Sequence, residues 1–189
     1  MSGGSGAGGP ATLAPRSSRG DQARPLLLLY LTAVVVLVAD QLSKFWVVGF
    51  LGPEEGGFVP VIGDLLWLRM VHNRGAAFGV GQNASYLFAV AALAVAVGIV
   101  YYSRRLTSAH WIVRAALGLE LGGAIGNLVD RLRYGYVVDF IDVRLWPYVF
   151  NVSDAAITIG VVLLLVSLLL EPRDHPSPSP ERQVGDRTA

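Results

Sequence analysis

Four apolar runs constrain this chain more than any other feature: Leu26–Trp46, Tyr86–Tyr102, Trp111–Val129 and Val152–Leu170. At ~1.5 Å of rise per residue, Leu26–Trp46 covers the ~30 Å hydrocarbon core of a bilayer as a helix, and the other three fall within the usual range for a span. Backbone inside hydrocarbon must satisfy its own polar groups, which leaves the helix as the form for runs of this length. Hydrophobic residues make up 53% of the chain and charged residues 15%, with mean hydropathy +0.51. That balance lies outside the range of soluble domains. The expected fold is an all-α membrane protein of four transmembrane helices with a small extracytoplasmic β element. A cleavable signal peptide is the alternative for the first run, but the run is long for one and no small-x-small site follows it.

The β element comes from the two polar loops. Phe58–Ile62 and Leu65–Val71 read as short strands broken by Pro60 and Gly63-Asp64, and Tyr134, Tyr136, Val138 and Phe140 alternate as a strand does. Residues 1–25 are rich in Gly, Ser, Ala and Pro and are expected to be a disordered tail. The membrane unit is expected over 26–171 and a second disordered tail over 172–189. Gly4 to Gly9 formally matches a dinucleotide-binding fingerprint, but no strand precedes it. Two glycosylation sequons, at Asn83 and Asn151, are discounted as short chance matches.

Several chemistries are excluded. A net charge of +1 implies no nucleic-acid partner, and the absence of cysteine removes disulfides, thiolate metal sites and a thiol nucleophile. His72, His110 and His175 are too far apart for ligand spacing, and no HExxH is present, so the histidines indicate no metal site. There is no GxSxG and no serine in a span with a histidine partner.

Carboxylates remain. Val137–Asp154 carries Asp139, Asp142 and Asp154 at the mouth of the last apolar run. Acids beside a span are costly and usually have a task. Four spans put both termini on one side. Arg16, Arg19, Arg24, Arg104, Arg105, Arg114, Arg173, Arg182 and Arg187 on that side outnumber Arg69, Arg74, Arg131, Arg133 and Arg144 on the other, a modest bias for cytoplasmic termini. Asp40, Lys44, Asn73, Asn127, Asp130, Asp139 and Asp154 then share one depth near the outer face. Two close carboxylates cannot both ionise readily, so one keeps its proton while the other takes a proton from water.

Each residue also has a plainer alternative. Asp154 suits the N-cap of the fourth helix and Asp139 a solvated strand position. Asp40 and Lys44, four apart on one helical face, suit a structural ion pair. Asp130-Arg131 suits an interfacial one. Asp142 is assigned no role. Gly118, Gly122, Gly126 and Asp130 form one stripe of the third span that allows close helix packing, beside a second stripe of Glu120, Gly123, Asn127 and Arg131. A small proton-coupled carrier is a rival reading, set back by the nearly pure Ala, Val and Leu of the inner halves of the second and fourth spans. A structural four-helix adaptor is another, and it leaves the clustered polar residues unexplained.

Five blocks change the weighting: Asp40-Gln41-x-Ser43-Lys44, Asn73-x-Gly75-Ala76-Ala77-Phe78, Gly122-Gly123-Ala124-x-Gly126-Asn127-x-x-Asp130-Arg131, Val137-Val138-Asp139-Phe140 and Phe150-Asn151-x-x-Asp154. In this order the chain resembles the lipoprotein signal peptidases (signal peptidase II), bacterial membrane aspartyl proteases. The resemblance implies that Asp139 and Asp154 are the catalytic dyad, and that Asp40, Lys44, Asn73, Gly75, Asn127, Arg131 and Asn151 line or brace the pocket. It implies a prolipoprotein substrate carrying diacylglycerol on its cysteine and cut just before that residue. Membrane lipids are the other expected partner. It further implies a monomer in the bacterial inner membrane, with no metal or organic cofactor. Ser153 stands where that family usually has Ala, and Glu120 in the third span has no account.

Overall fold

The computed structural model describes residues 19–75, 84–105 and 110–170. The chain runs α1 (Arg19–Leu51), β1 (Phe58–Ile62), β2 (Leu66–Asn73), α2 (Ala84–Ser103), α3 (Trp111–Tyr134), β3 (Val137–Val143), β4 (Val149–Phe150) and α4 (Val152–Leu170). All four helices are long and apolar enough to cross a membrane. The bundle is inverted relative to a soluble one: Leu31, Leu42, Phe45 and Val97 are exposed, whereas Asp40, Lys44, Asn127, Asp130 and Asn151 are buried. Lipid explains the apolar exterior, and the polar groups turn inward to find one another.

Helix α3 is the hub, packed against α1, α2 and α4. Its glycines make this possible. A Cβ on Gly118 would stand 2.6 Å from the Leu29 carbonyl oxygen, and one on Gly122 2.6 Å from that of Ala33, both on α1. On the other side a Cβ on Gly123 would stand 2.6 Å from the Ser153 carbonyl oxygen of α4. The stripe read from the sequence therefore serves close packing, as small residues do between spans.

The strands form one antiparallel sheet in the order β1-β2-β3-β4. Val138 and Phe140 of β3 join Val47 and Met70 in a small core that seats the sheet on the end of α1. Several boundaries differ from the sequence reading, among them the end of α1 at Leu51 and not at Trp46. Helix α1 begins at Arg19, inside the stretch expected as tail. Helix α3 continues beyond Val129 to Tyr134, since Asp130 is buried and partnered there. It ends where Gly135 (φ 77°) closes it, its N–H donating to the Arg131 carbonyl. The strand then starts at Val137, not at Tyr134. Strand β4 was not anticipated; two residues carry no periodicity. The fingerprint at Gly4, the segment Ala76-Ala77-Phe78, the sequon asparagine Asn83 and the tail 172–189 lie outside the described residues.

Candidate active site

Strand β3 leaves α3 through the Gly135 turn, so Asp139 sits just above the polar end of α3. Side chains alternate across a strand, and Val138 and Phe140 take the core face. Asp139 takes the other and is only 1% exposed. Two amides hold its carboxylate. Asn73 Nδ2 donates to Oδ2 at 2.8 Å, and Asn151 Nδ2 donates to Oδ1 at 2.6 Å. Gly75 aims the first of these: at φ 83° it donates its N–H to Asn73 Oδ1 (2.8 Å), an Asx turn that leaves Nδ2 facing Asp139.

Asp154 lies in the first turn of α4. Asn151 is the residue that caps this helix. Its Oδ1 accepts the Asp154 N–H at 2.9 Å, while Asp154 Oδ2 accepts the Asn151 N–H at 3.4 Å. This is a reciprocal capping box, with Asp154 at its third helical position and not at the cap. Asn127 Nδ2 donates to the other oxygen, Oδ1, at 2.8 Å. Asn151 thus touches both acids: its side-chain nitrogen holds Asp139 and its side-chain oxygen fixes the backbone of Asp154. Burial, together with the neighbouring Asp154 carboxylate, pushes Asp139 up to about 7, against the opposing pull of the Asn73 and Asn151 amides and the Lys44 ammonium.

Beneath the acids lies a buried charge network. Lys44 Nζ is 2.8 Å from both Asp40 Oδ2 and Asp130 Oδ2, and it donates to Asn127 Oδ1 at 3.3 Å. Asp40 Oδ1 accepts the Ser153 N–H (2.9 Å), and Asp130 Oδ2 accepts the Val138 N–H (3.0 Å). One lysine therefore ties α1 to α3, and through its two carboxylates to α4 and β3. The Asp40–Lys44 pair expected on one face of α1 is present, extended by a second acid.

Two residues in this network were missed as site residues. Gln41 Nε2 bridges Asp40 Oδ2 (3.1 Å) and Asp130 Oδ1 (3.0 Å). Asp130 pairs with Lys44, not with Arg131. Its signal was the four-residue step from Gly126, which puts it on the face that meets α1; Gln41 had only adjacency to Asp40. Arg131 reaches the Asn127 carbonyl (3.2 Å) and covers the Phe88 ring at 5.6 Å, so it braces α3 against α2. Asp142 lies on the face of β3 opposite Asp139, against Arg69 (3.8 Å) and Arg144 (3.4 Å). The Ser153 hydroxyl is buried and has no hydrogen-bond partner among the described residues. Among those residues no group of His, Cys, Asp and Glu could hold a metal ion.

Residues 32–170 match the model of the family described as Signal peptidase (SPase) II. A protein of Moorella thermoacetica named "Lipoprotein signal peptidase" is 48% identical over 146 residues, which cover 77% of this chain and 93% of that protein. One of the same name from Desulfitobacterium hafniense is 42% identical over 147 residues, 78% of this chain and 96% of that protein. A solved structure, "Bacterial membrane enzyme structure by the in meso method at 1.9 A resolution", superposes with a TM-score of 0.67 at 31% identity, covering 76% of this chain and 94% of that one.

Proposed function

The chain belongs to the signal peptidase II family, and we propose that Asp139 and Asp154 are the pair with which it cuts. Its activity is that of a lipoprotein signal peptidase: as a multi-pass bacterial membrane protease, it removes signal peptides from prolipoproteins. The assignment of the dyad rests on one observation above the rest: Asn151 contacts both acids, through its amide nitrogen to Asp139 and its amide oxygen to the Asp154 N–H.

With Asp139 pushed up to about 7, the two acids share one proton near neutral pH and titrate as a unit. The ionised member takes a proton from water as its oxygen bonds to the scissile carbonyl carbon. The neutral member donates to the carbonyl oxygen. Collapse of the tetrahedral intermediate breaks the C–N bond: the proton taken from water passes to the leaving amine, and one hydroxyl of the intermediate returns its proton to the other carboxylate, which leaves a carboxylic acid product and restores the single shared proton. Asn73, Gly75, Asn127 and Asn151 hold the two carboxylates in place, Asp40 and Lys44 lock the helices beneath them, and Arg131 fixes α3 against α2.

The substrate bears diacylglycerol on the cysteine just after the cut, its acyl chains staying in the bilayer while the peptide bond meets interfacial water. Strands β1 and β2, between α1 and α2, hold the extended peptide by strand-like pairing. Arginine distribution favours cytoplasmic termini and an active site near the outer face of the inner membrane. The working unit is a monomer whose active part is the membrane unit expected over 26–171.

A gel-shift assay with lipidated and unlipidated substrate peptides tests the substrate assignment. Only the lipidated peptide is expected to shift. Equal cutting of both sinks the requirement for diacylglycerol.

A further inference from the structure

Away from the acids, α1, α2 and α3 line a cavity of about 770 Å³. Ala33 and Leu37 of α1, Ala96 and Val97 of α2, and Leu121 of α3 give it an apolar wall, and Arg104 and Arg105 stand at its mouth. Near that mouth the Tyr30 and Ser103 hydroxyls are hydrogen-bonded at 3.2 Å, joining α1 to α2, and Arg105 lies over the Tyr101 ring at 5.6 Å. We propose that this cleft holds an acyl chain of an anionic phospholipid whose phosphate sits on Arg104 and Arg105.

Length decides against a helical occupant. The wall runs from Tyr30 to Leu37 on α1 and from Ala96 to Arg105 on α2, which at ~1.5 Å per residue is roughly 10–13 Å. That is the depth of one leaflet, about half of a ~30 Å hydrocarbon core. A spanning helix, whether a signal peptide or a second copy of this chain, needs the whole thickness. Charge decides the headgroup. Two neighbouring guanidiniums suit a phosphodiester, which arginine binds through paired N–H donors. A signal peptide would bring its own basic n-region to the same place and be repelled. Val97 is 59% exposed, so the cleft opens sideways to the bilayer and a lipid can enter without unpacking the bundle.

Native mass spectrometry of the purified full chain, offered phosphatidylglycerol and phosphatidylcholine together, tests the proposal. One phosphatidylglycerol should be retained, preferred by about 30-fold, as two basic groups at an anionic headgroup imply. Arg104→Gln/Arg105→Gln should bring that preference close to one, and Val97→Phe should reduce retention of both lipids by filling the cleft. Both variants should still cut lipidated peptide, which shows that they are folded. Four results overturn the proposal: equal retention of the two lipids by the wild type, an unchanged preference in the arginine variant, unchanged retention in Val97→Phe, or displacement by glycerol phosphate as readily as by whole lipid. Retention of a signal peptide or a second copy in place of lipid also refutes it.

Discussion

Replacing Asp139 with asparagine should change stability in opposite directions at low and high pH. The folded protein holds this acid up at about 7, whereas an unfolded chain releases the proton near ~3.9. Between those values the folded state binds a proton that the unfolded state has lost. The stability Asp139 contributes is therefore complete below ~4 and falls as pH rises through about 7. A shift of ~3 units at ~1.4 kcal/mol each sets a ceiling of ~4 kcal/mol on that loss. Asparagine does not titrate, so the variant escapes the loss. It carries a different cost. Both oxygens of Asp139 accept amide N–H groups, from Asn73 at 2.8 Å and Asn151 at 2.6 Å. Asparagine offers one acceptor oxygen, so one donor loses its partner at ~1–3 kcal/mol. Asp139→Asn should be less stable than the wild type by ~1–3 kcal/mol near pH 4 and more stable by a similar amount near pH 8. Thermal unfolding of the purified protein in detergent across this range reads the crossover. A variant destabilised equally at both ends would make Asp139 an ordinary hydrogen-bonded carboxylate and defeat the shared-proton reasoning.

Lys44→Met leaves Asp40 and Asp130 buried without their cation and should cost ~3–5 kcal/mol; adding Asp40→Asn and Asp130→Asn should recover most of that in the same melts, and no recovery would contradict the electrostatic account of the brace. Ser153→Ala removes a buried hydroxyl with no partner among the described residues and should raise stability by ~1–2 kcal/mol with cleavage retained; a loss of stability would mean that the hydroxyl is satisfied. With the pair at its last proton, kcat/KM for lipidated peptide should fall as pH rises above about 7. A profile flat to pH ~9 would exclude that proton from the reaction.

The spans were legible because hydrophobic runs of this length have few other uses; α4 begins and ends at the residues the sequence indicates. The polar cluster was legible by depth: Asp40, Lys44, Asn73, Asn127, Asp130, Asp139 and Asp154 lie in one connected network, whereas Asn151, which links the two acids, came from the resemblance alone. Which partner each chooses was not legible. Asp130 pairs with Lys44 and not with its neighbour Arg131 because a one-residue step turns a helix by ~100°, sending Asp130 toward α1 and Arg131 toward α2. Asp142 has no role in the sequence reading, and the strand places it on the face opposite Asp139, against Arg69 and Arg144. The cap of α4 shifted from Asp154 to Asn151 because Asn-x-x-Asp satisfies two backbone N–H groups at once, leaving an oxygen of Asp154 for Asn127.

The rate of signal-peptide release by purified wild-type, Asp139→Asn, Asp154→Asn and Asp142→Asn proteins tests the central claim most directly. The account predicts that either dyad variant loses at least ~100-fold, the low end for removing a positioned acid or base, while Asp142→Asn stays within a few-fold of the wild type. Near-wild-type release by Asp139→Asn or Asp154→Asn would contradict it.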